Sequence, residues 1–184
     1  MRIIGGSLKG RRFFLSKNTL VRPTKSIVRE AIFDVLGDWV SGRDGLELFA
    51  GTGGLGIEAL SRGARSMIFV ERDREACRLL TKNLITFGLE DCTELLQHDA
   101  EVAISLLSSQ RRKVEILILD PPYQKAPNEI AELFCLCEDL VLPGGIAVLE
   151  CSEKREISGF SAWDLFFNRK YGDTRLFLYQ RKGL

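Results

Sequence analysis

With 184 residues, 45% of them hydrophobic, the chain is long enough for one domain with a substantial core and too short for two generous ones. Charged residues make up 28% of it but nearly cancel, to a net +1, so there is no global polyanion signal and any nucleic-acid site must come from local clustering. No apolar run approaches the roughly 20 residues of a membrane span, and MRIIGGSLKGRR lacks the apolar core of a leader, so a soluble, cytoplasmic protein is expected.

The five cysteines, Cys77, Cys92, Cys135, Cys137 and Cys151, are odd in number and irregularly spaced, which fits reduced thiols. Cys135 and Cys137 would point to different faces of a helix, so buried thiols are expected there rather than a zinc pair, and no metal site is expected elsewhere.

The chain opens with a basic, glycine-punctuated arm. Next, RPTKSIVREAIFDVLGDWV places Ile27, Val28, Ala31, Ile32, Val35 and Leu36 at helical spacing behind the start signals Pro23 and Thr24, predicting a helix over 24–40. Residues 1–40 are expected to form the basic arm and helix, and 41–184 the main body. From Asp44 short apolar runs alternate with amphipathic, helix-length segments: GLELFA, LGIEALSRG, SMIFVE, REACRLLTKNLITFG, CTELLQHD, EVAISLLSS, VEILILD, NEIAELFCLCEDLV and GIAVLE. That alternation predicts a doubly wound, mostly parallel α/β sheet with helices on both faces. The tail, AWDLFFNRKYGDTRLFLYQRK, has two β-rich runs with NRKYGDT between them and reads as an antiparallel hairpin closing one sheet edge.

The first strand delivers the chain into ELFAGTGGLGIEAL, where Gly51, Gly53 and Gly56 stand in a G-x-G-x-x-G frame before a helix. Residues without Cβ permit a tight turn and close ligand approach, and the helix N-terminus offers free N–H groups. A glycine turn that merely packs strand on helix is the simpler reading of this frame alone. Glu71, about 20 residues after Gly51, ends the second strand in IFVERD, where an acid can accept from both hydroxyls of an unphosphorylated ribose. At the third strand's end, LLQHDA puts His98 and Asp99 beside the same crevice, and Asp99 could accept from an adenine amine. His98, the only histidine, is read as structural or as part of the rim. Phe49, Thr52, Arg72 and Ala100 complete the candidate cofactor contacts. An adenosine-containing cofactor fits, and NAD and S-adenosylmethionine both qualify.

The fourth strand of a doubly wound sheet lies beside the first, across the topological switch point, so ILILDPPYQ should bring Asp120 to the cofactor's reactive end. The exocyclic amine of a nucleobase is a poor nucleophile until two acceptors draw its N–H bonds out of plane. The Asp120 carboxylate and the Pro121 carbonyl can be those acceptors. Each proline fixes φ, and Pro122 biases Pro121 away from the helical region, so the turn is stiff. Tyr123 then offers a face for an extruded base. A plain strand-ending turn is the competing reading of Asp-Pro-Pro. A sulfonium methyl donor needs in-line placement and a prepared amine, and this reading requires no metal or covalent nucleophile.

At these residues the sequence resembles the class I S-adenosylmethionine-dependent methyltransferases with the amino-methylating D/N-P-P-Y/F motif. More narrowly it resembles the bacterial 16S ribosomal RNA guanine-N2 methyltransferases that modify guanine 966 of the small subunit. The likeness is carried by RIIGGSLKGRR, RPTKSIVREAIFDVL, LFAGTGGLGIEALSRGA, VERD, DPPY and the terminal LFLYQRK, and covers essentially the full chain. It implies a Rossmann-like fold with a seven-stranded sheet. It places Glu47, Gly51 and Gly53 around the methionine portion of the cofactor, Glu71 on the ribose, Asp99 on the adenine amine, and Asp120, Pro121, Pro122 and Tyr123 at the target base. Tyr123 stands where phenylalanine also occurs, so stacking matters more than the hydroxyl; Thr52 replaces a common serine. The resemblance also implies an assembled or assembling small subunit as partner. In that setting Arg2, Lys9, Arg11, Arg12, Arg22, Lys25 and Arg29 could bind RNA phosphates; a solvated basic hairpin is the plainer alternative.

Other classes fit less of the sequence. An NAD-dependent oxidoreductase leaves Asp-Pro-Pro-Tyr without a role, and a DNA adenine-N6 methylase has little room here for a target-reading domain. A protein-glutamine methylase would more naturally carry asparagine before the prolines, and cytosine-C5 transfer needs a strand-end cysteine nucleophile that the chain lacks. A non-catalytic RNA-binding module stays open at this point.

Overall fold

The computed structural model describes residues 1–15, 26–122, 125–152 and 160–183. Residues 1–15 form an antiparallel arm, with Arg2 bridging Arg12 and Ile3 N donating to the Arg11 carbonyl at 3.0 Å. The arm has this one isolated bridge rather than two full strands because much of its backbone bonds to the body instead. Ile4 and Gly5 donate to Glu58, and Ser7 to the Ser61 carbonyl.

Helix α1 (Ser26–Leu36) runs on as a 3-10 turn, Gly37–Val40. Its buried stripe is Val28, Arg29, Ile32, Phe33 and Leu36, whereas Ile27 and Val35, expected on the apolar face, are exposed. The start expected at Thr24 lies outside the described residues.

The body alternates β1 (Asp44–Leu48), α2 (Gly54–Ser61), β2 (Ser66–Val70), α3 (Arg74–Phe87), β3 (Thr93–Leu96), α4 (Ala100–Ser109), β4 (Val114–Leu119) and α5 (Pro127–Leu136). It ends in β5 (Val141–Ser152), β6 (Trp163–Tyr171) and β7 (Thr174–Arg181). The seven strands lie in the order β3-β2-β1-β4-β5-β7-β6; β1 to β5 pair parallel, and β7 pairs antiparallel with both β5 and β6. The hairpin expected at the tail is present with a tighter turn. Asn168 to Tyr171 belong to β6, and the chain reverses at Gly172, whose φ of 66° few other residues adopt without cost.

Period-2 alternation splits the core into two layers. Leu46, Leu48, Leu117, Leu119, Ala147 and Leu149 pack against α4 and α5. Ile116, Ile118 and Val148 pack on the other face with α1, α2, α3 and the arm residues Ile3 and Phe13. The switch point between β1 and β4 therefore opens at the carboxyl ends of those strands, where the loops carrying Gly51 and Asp120 emerge. Among the described residues no helix is long and apolar enough to cross a membrane.

Candidate active site

Strand β1 is followed directly by a residue under backbone strain. Phe49 has φ of 60°, uncommon for a bulky side chain, and the chain then turns through Gly51 and Gly53, also at positive φ. A Cβ on Gly53 would stand 2.4 Å from Leu80 Cδ1. The third glycine of the frame answers to packing alone: a Cβ on Gly56 would meet Phe69 Cε1 at 2.4 Å and Glu47 Oε2 at 2.6 Å. The glycines thus let the first turn of α2 close down on a buried carboxyl.

That carboxyl is Glu47, 3% exposed, accepting from Gly56 N at 2.9 Å. Burial pushes its pKa up to about 8; N–H donors from Gly56 and Leu55 oppose the rise, while the charges of Asp120 and Glu71 add to it. Glu47 pairs with Phe69 and Ile118 across the sheet, so Glu71 and Asp120, each two residues further along, gather with it at the carboxyl ends of three neighbouring strands.

Glu71 follows β2 and ties the crevice together. Its Oε2 accepts from Gly51 N and its Oε1 from Asp73 N, both at 2.8 Å. A carboxylate has about four lone-pair sites, so two remain for hydroxyl donors. Asp73 in turn caps α3 by accepting from Ala76 N at 2.8 Å. Across the crevice Arg72 Nη1 donates to Asp99 Oδ1 at 3.2 Å; both side chains are exposed on the rim, and Ala100 is buried at the start of α4. His98 is exposed on the same rim. Carboxylate acceptors on two strand ends, a glycine turn and a helix N-terminus make a donor and acceptor set that fits an adenosine bearing free ribose hydroxyls.

Beyond β4, Asp120 is half-buried, Pro121 buried and Pro122 exposed. Asp120 continues the alternation of β4 on the Glu47 side of the sheet. Tyr123 lies outside the described residues. Past it, Lys125 N donates to the Pro122 carbonyl at 3.0 Å. The Lys125 ammonium lies 3.1 Å from Glu101 on α4 and 3.7 Å from Glu129 on α5, with the Phe49 ring 5.8 Å away.

The basic arm residues are placed unequally. Arg2, Lys9 and Arg12 are exposed. Arg11 is exposed, but its guanidinium lies over the Phe87 ring and donates to the Thr86 and Phe87 carbonyls, capping α3. Arg29 departs from the expectation: it is 1% exposed and donates to the Arg2 carbonyl at 3.1 Å, so it braces the arm from beneath instead of facing a partner. Arg22 and Lys25 lie outside the described residues.

Three polar residues that sequence reasoning passed over hold the arm to the site. Glu58, with no exposed surface, accepts from Ile4 N at 2.9 Å, Gly5 N at 2.7 Å and Arg62 Nε at 2.9 Å. Ser61 donates to the Gly5 carbonyl and accepts from Leu8 N. Asn83, also fully buried, accepts from Phe14 N at 2.7 Å and donates to the Phe14 carbonyl at 3.2 Å and to the Thr52 carbonyl at 3.1 Å. In sequence each reads as an ordinary polar position on an amphipathic helix; only the arm folded over α2 and α3 makes them interior.

Residues 1–180 match the family model described as Conserved hypothetical protein 95. The chain is similar to the putative rRNA methyltransferase YlbH of Bacillus subtilis, 37% identical over 187 residues and the full length of both. It is also similar to ribosomal RNA small subunit methyltransferase D of Escherichia coli, 31% identical over all of this chain and 91% of that protein. The solved structure of the putative methyltransferase yhhF from Escherichia coli superposes with a TM-score of 0.84 at 30% identity, covering 100% of this chain and 99% of that one. The site and these likenesses agree, and the chain belongs to the Conserved hypothetical protein 95 family of class I methyltransferases.

Proposed function

We propose that this protein transfers a methyl group from S-adenosylmethionine to the exocyclic N2 amine of a guanine in 16S ribosomal RNA, within the assembled or assembling small subunit. The observation that carries the reading is the gathering of Asp120 with Glu47 and Glu71 at the switch point between β1 and β4, with the Pro121–Pro122 turn beside it. The names of the two relatives, a putative rRNA methyltransferase and a ribosomal RNA small subunit methyltransferase, support an RNA substrate.

In this reading Glu71 and the loop at Gly51, Thr52 and Gly53 hold the cofactor's ribose and methionine parts, and Asp99, Ala100 and Arg72 line its adenine end. Glu47 and Phe49 fix the loop from below. When bound, the cofactor supplies an electrophilic methyl carbon on a sulfonium. Asp120 and the Pro121 carbonyl accept the two N–H bonds of the amine, which frees its lone pair toward that carbon. The amine would gain positive charge on taking the methyl group from the sulfonium, which would leave as a neutral thioether, and Asp120 would take the amine's proton. Tyr123 stacks on the base. Arg2, Lys9 and Arg12, with Arg22 and Lys25, meet RNA phosphates, so binding should weaken as salt rises.

Labelled methyl transfer to small subunits, assembled and dismantled, followed by nucleoside analysis, tests the assignment. N2-methylguanosine is expected, and Asp120→Ala should lower the rate about a hundredfold or more. Methyladenosine as product would overturn the base assignment, and full activity of Asp120→Ala would overturn the mechanism.

A further inference from the structure

Phe13 and Phe14 close the arm and are used in opposite ways. Phe13 is buried edge-on against Phe87, with ring centroids 5.4 Å apart, whereas Phe14 is 38% exposed. A single exposed aromatic is common on protein surfaces. Two further facts set this one apart. Its backbone is held on both sides, N–H and carbonyl, by the fully buried Asn83, so the ring is presented from a fixed point. Its neighbours are cations: the Lys82 ammonium lies 3.9 Å from the ring centroid, Arg12 is exposed two residues back in the arm, and Arg11 sits on the adjoining end of α3. An exposed ring fixed among cations matches the chemistry of unpaired nucleic acid, which offers a base face to stack and phosphates to neutralise; an apolar protein surface would leave those cations without partners.

We propose that Phe14 and Lys82 form an RNA platform outside the active site, on which an unpaired base stacks while Lys82 and Arg12 meet the neighbouring phosphates. The platform rests on the reading of the arm as RNA-facing and extends the RNA footprint from the arm onto α3, a helix to which that reading gives no RNA contact. Lys82 covers the ring in the absence of RNA and moves to phosphate when a base takes its place.

Direct binding of protein-free 16S RNA to Phe14→Ala, Phe14→Trp and Lys82→Ala, at several salt concentrations, tests this, with S-adenosylhomocysteine affinity and Tm measured on the same samples. Phe14→Ala should weaken RNA binding about tenfold and Phe14→Trp should restore it. Lys82→Ala should weaken binding and reduce the slope of log affinity against log salt by about one. S-adenosylhomocysteine affinity should hold in all three, because neither side chain touches the glycine loop. Wild-type RNA affinity in Phe14→Ala, or a loss of RNA affinity matched by an equal loss of S-adenosylhomocysteine affinity, would overturn the platform. A wild-type protein that yields a product other than N2-methylguanosine would overturn the proposed reaction instead, leaving the ratio of variant to wild-type binding as the judge of the platform.

Discussion

Glu47 is the residue whose setting departs furthest from what its type leads one to expect. An acid near the end of a strand reads as a ligand to the cofactor, yet its carboxyl lies under the glycine turn with a pKa pushed up to about 8 by burial. In the unfolded chain it ionises near 4.5. Between those two values the folded protein holds a proton that the unfolded chain has lost, so the contribution of Glu47 to stability falls as pH rises through that window. Glu47→Gln keeps an acceptor for Gly56 N–H and removes the titration. In calorimetry without cofactor, the Tm of wild type should therefore fall more steeply from pH 5 to pH 8 than that of Glu47→Gln. Parallel curves would show that Glu47 does not carry the proton.

At the scale of elements, α2 is held from two sides. Its N-terminus follows the glycine turn, and its C-terminal half is covered by the arm through Glu58 and Ser61. Removing the Glu58 carboxylate leaves the Ile4 and Gly5 N–H groups and the Arg62 guanidinium without their acceptor, while the arm still lies over the helix. Glu58→Ala should cost about 3 kcal/mol, seen as a lower Tm, with faster hydrogen exchange at the Ile4 and Gly5 amides. Unchanged exchange at those amides would mean that the arm is held by its other contacts, polar and apolar, without Glu58. The elements themselves were largely readable. The alternation from Asp44 onward is present as parallel strands and helices, because strands buried on both faces and helices with one apolar stripe leave different periodicities. What could not be read was which polar residues are interior. Arg29 and Asn83 look like solvent positions in α1 and α3, and only contacts from a segment distant in sequence change that. The turn of the tail was misplaced for a related reason: Asn168 to Tyr171 have the composition of a loop, but the ladder with β7 carries them.

For the molecule as a whole, the positions of the candidate site followed from topology once the alternation was recognised. Glu71, Asp99 and Asp120 each stand just past a strand end, where a doubly wound sheet gathers its ligands. How the arm joins that site was not legible, since it depends on Asn83, one amide that bonds to the arm at Phe14 and to the glycine turn at Thr52. The consequence is thermodynamic. An amide shared by the two proposed binding regions would make their ligands report on each other: whatever factor RNA applies to cofactor affinity, the cofactor must apply to RNA affinity. Wild type should bind S-adenosylhomocysteine about fivefold more tightly or better when saturated with 16S RNA, and show the reciprocal gain for RNA. Asn83→Asp, which keeps the acceptor for Phe14 N–H and removes the donor to both the Phe14 and the Thr52 carbonyls, should bring both factors toward one. Equal factors in the two proteins would mean that the arm and the glycine turn respond to their ligands independently.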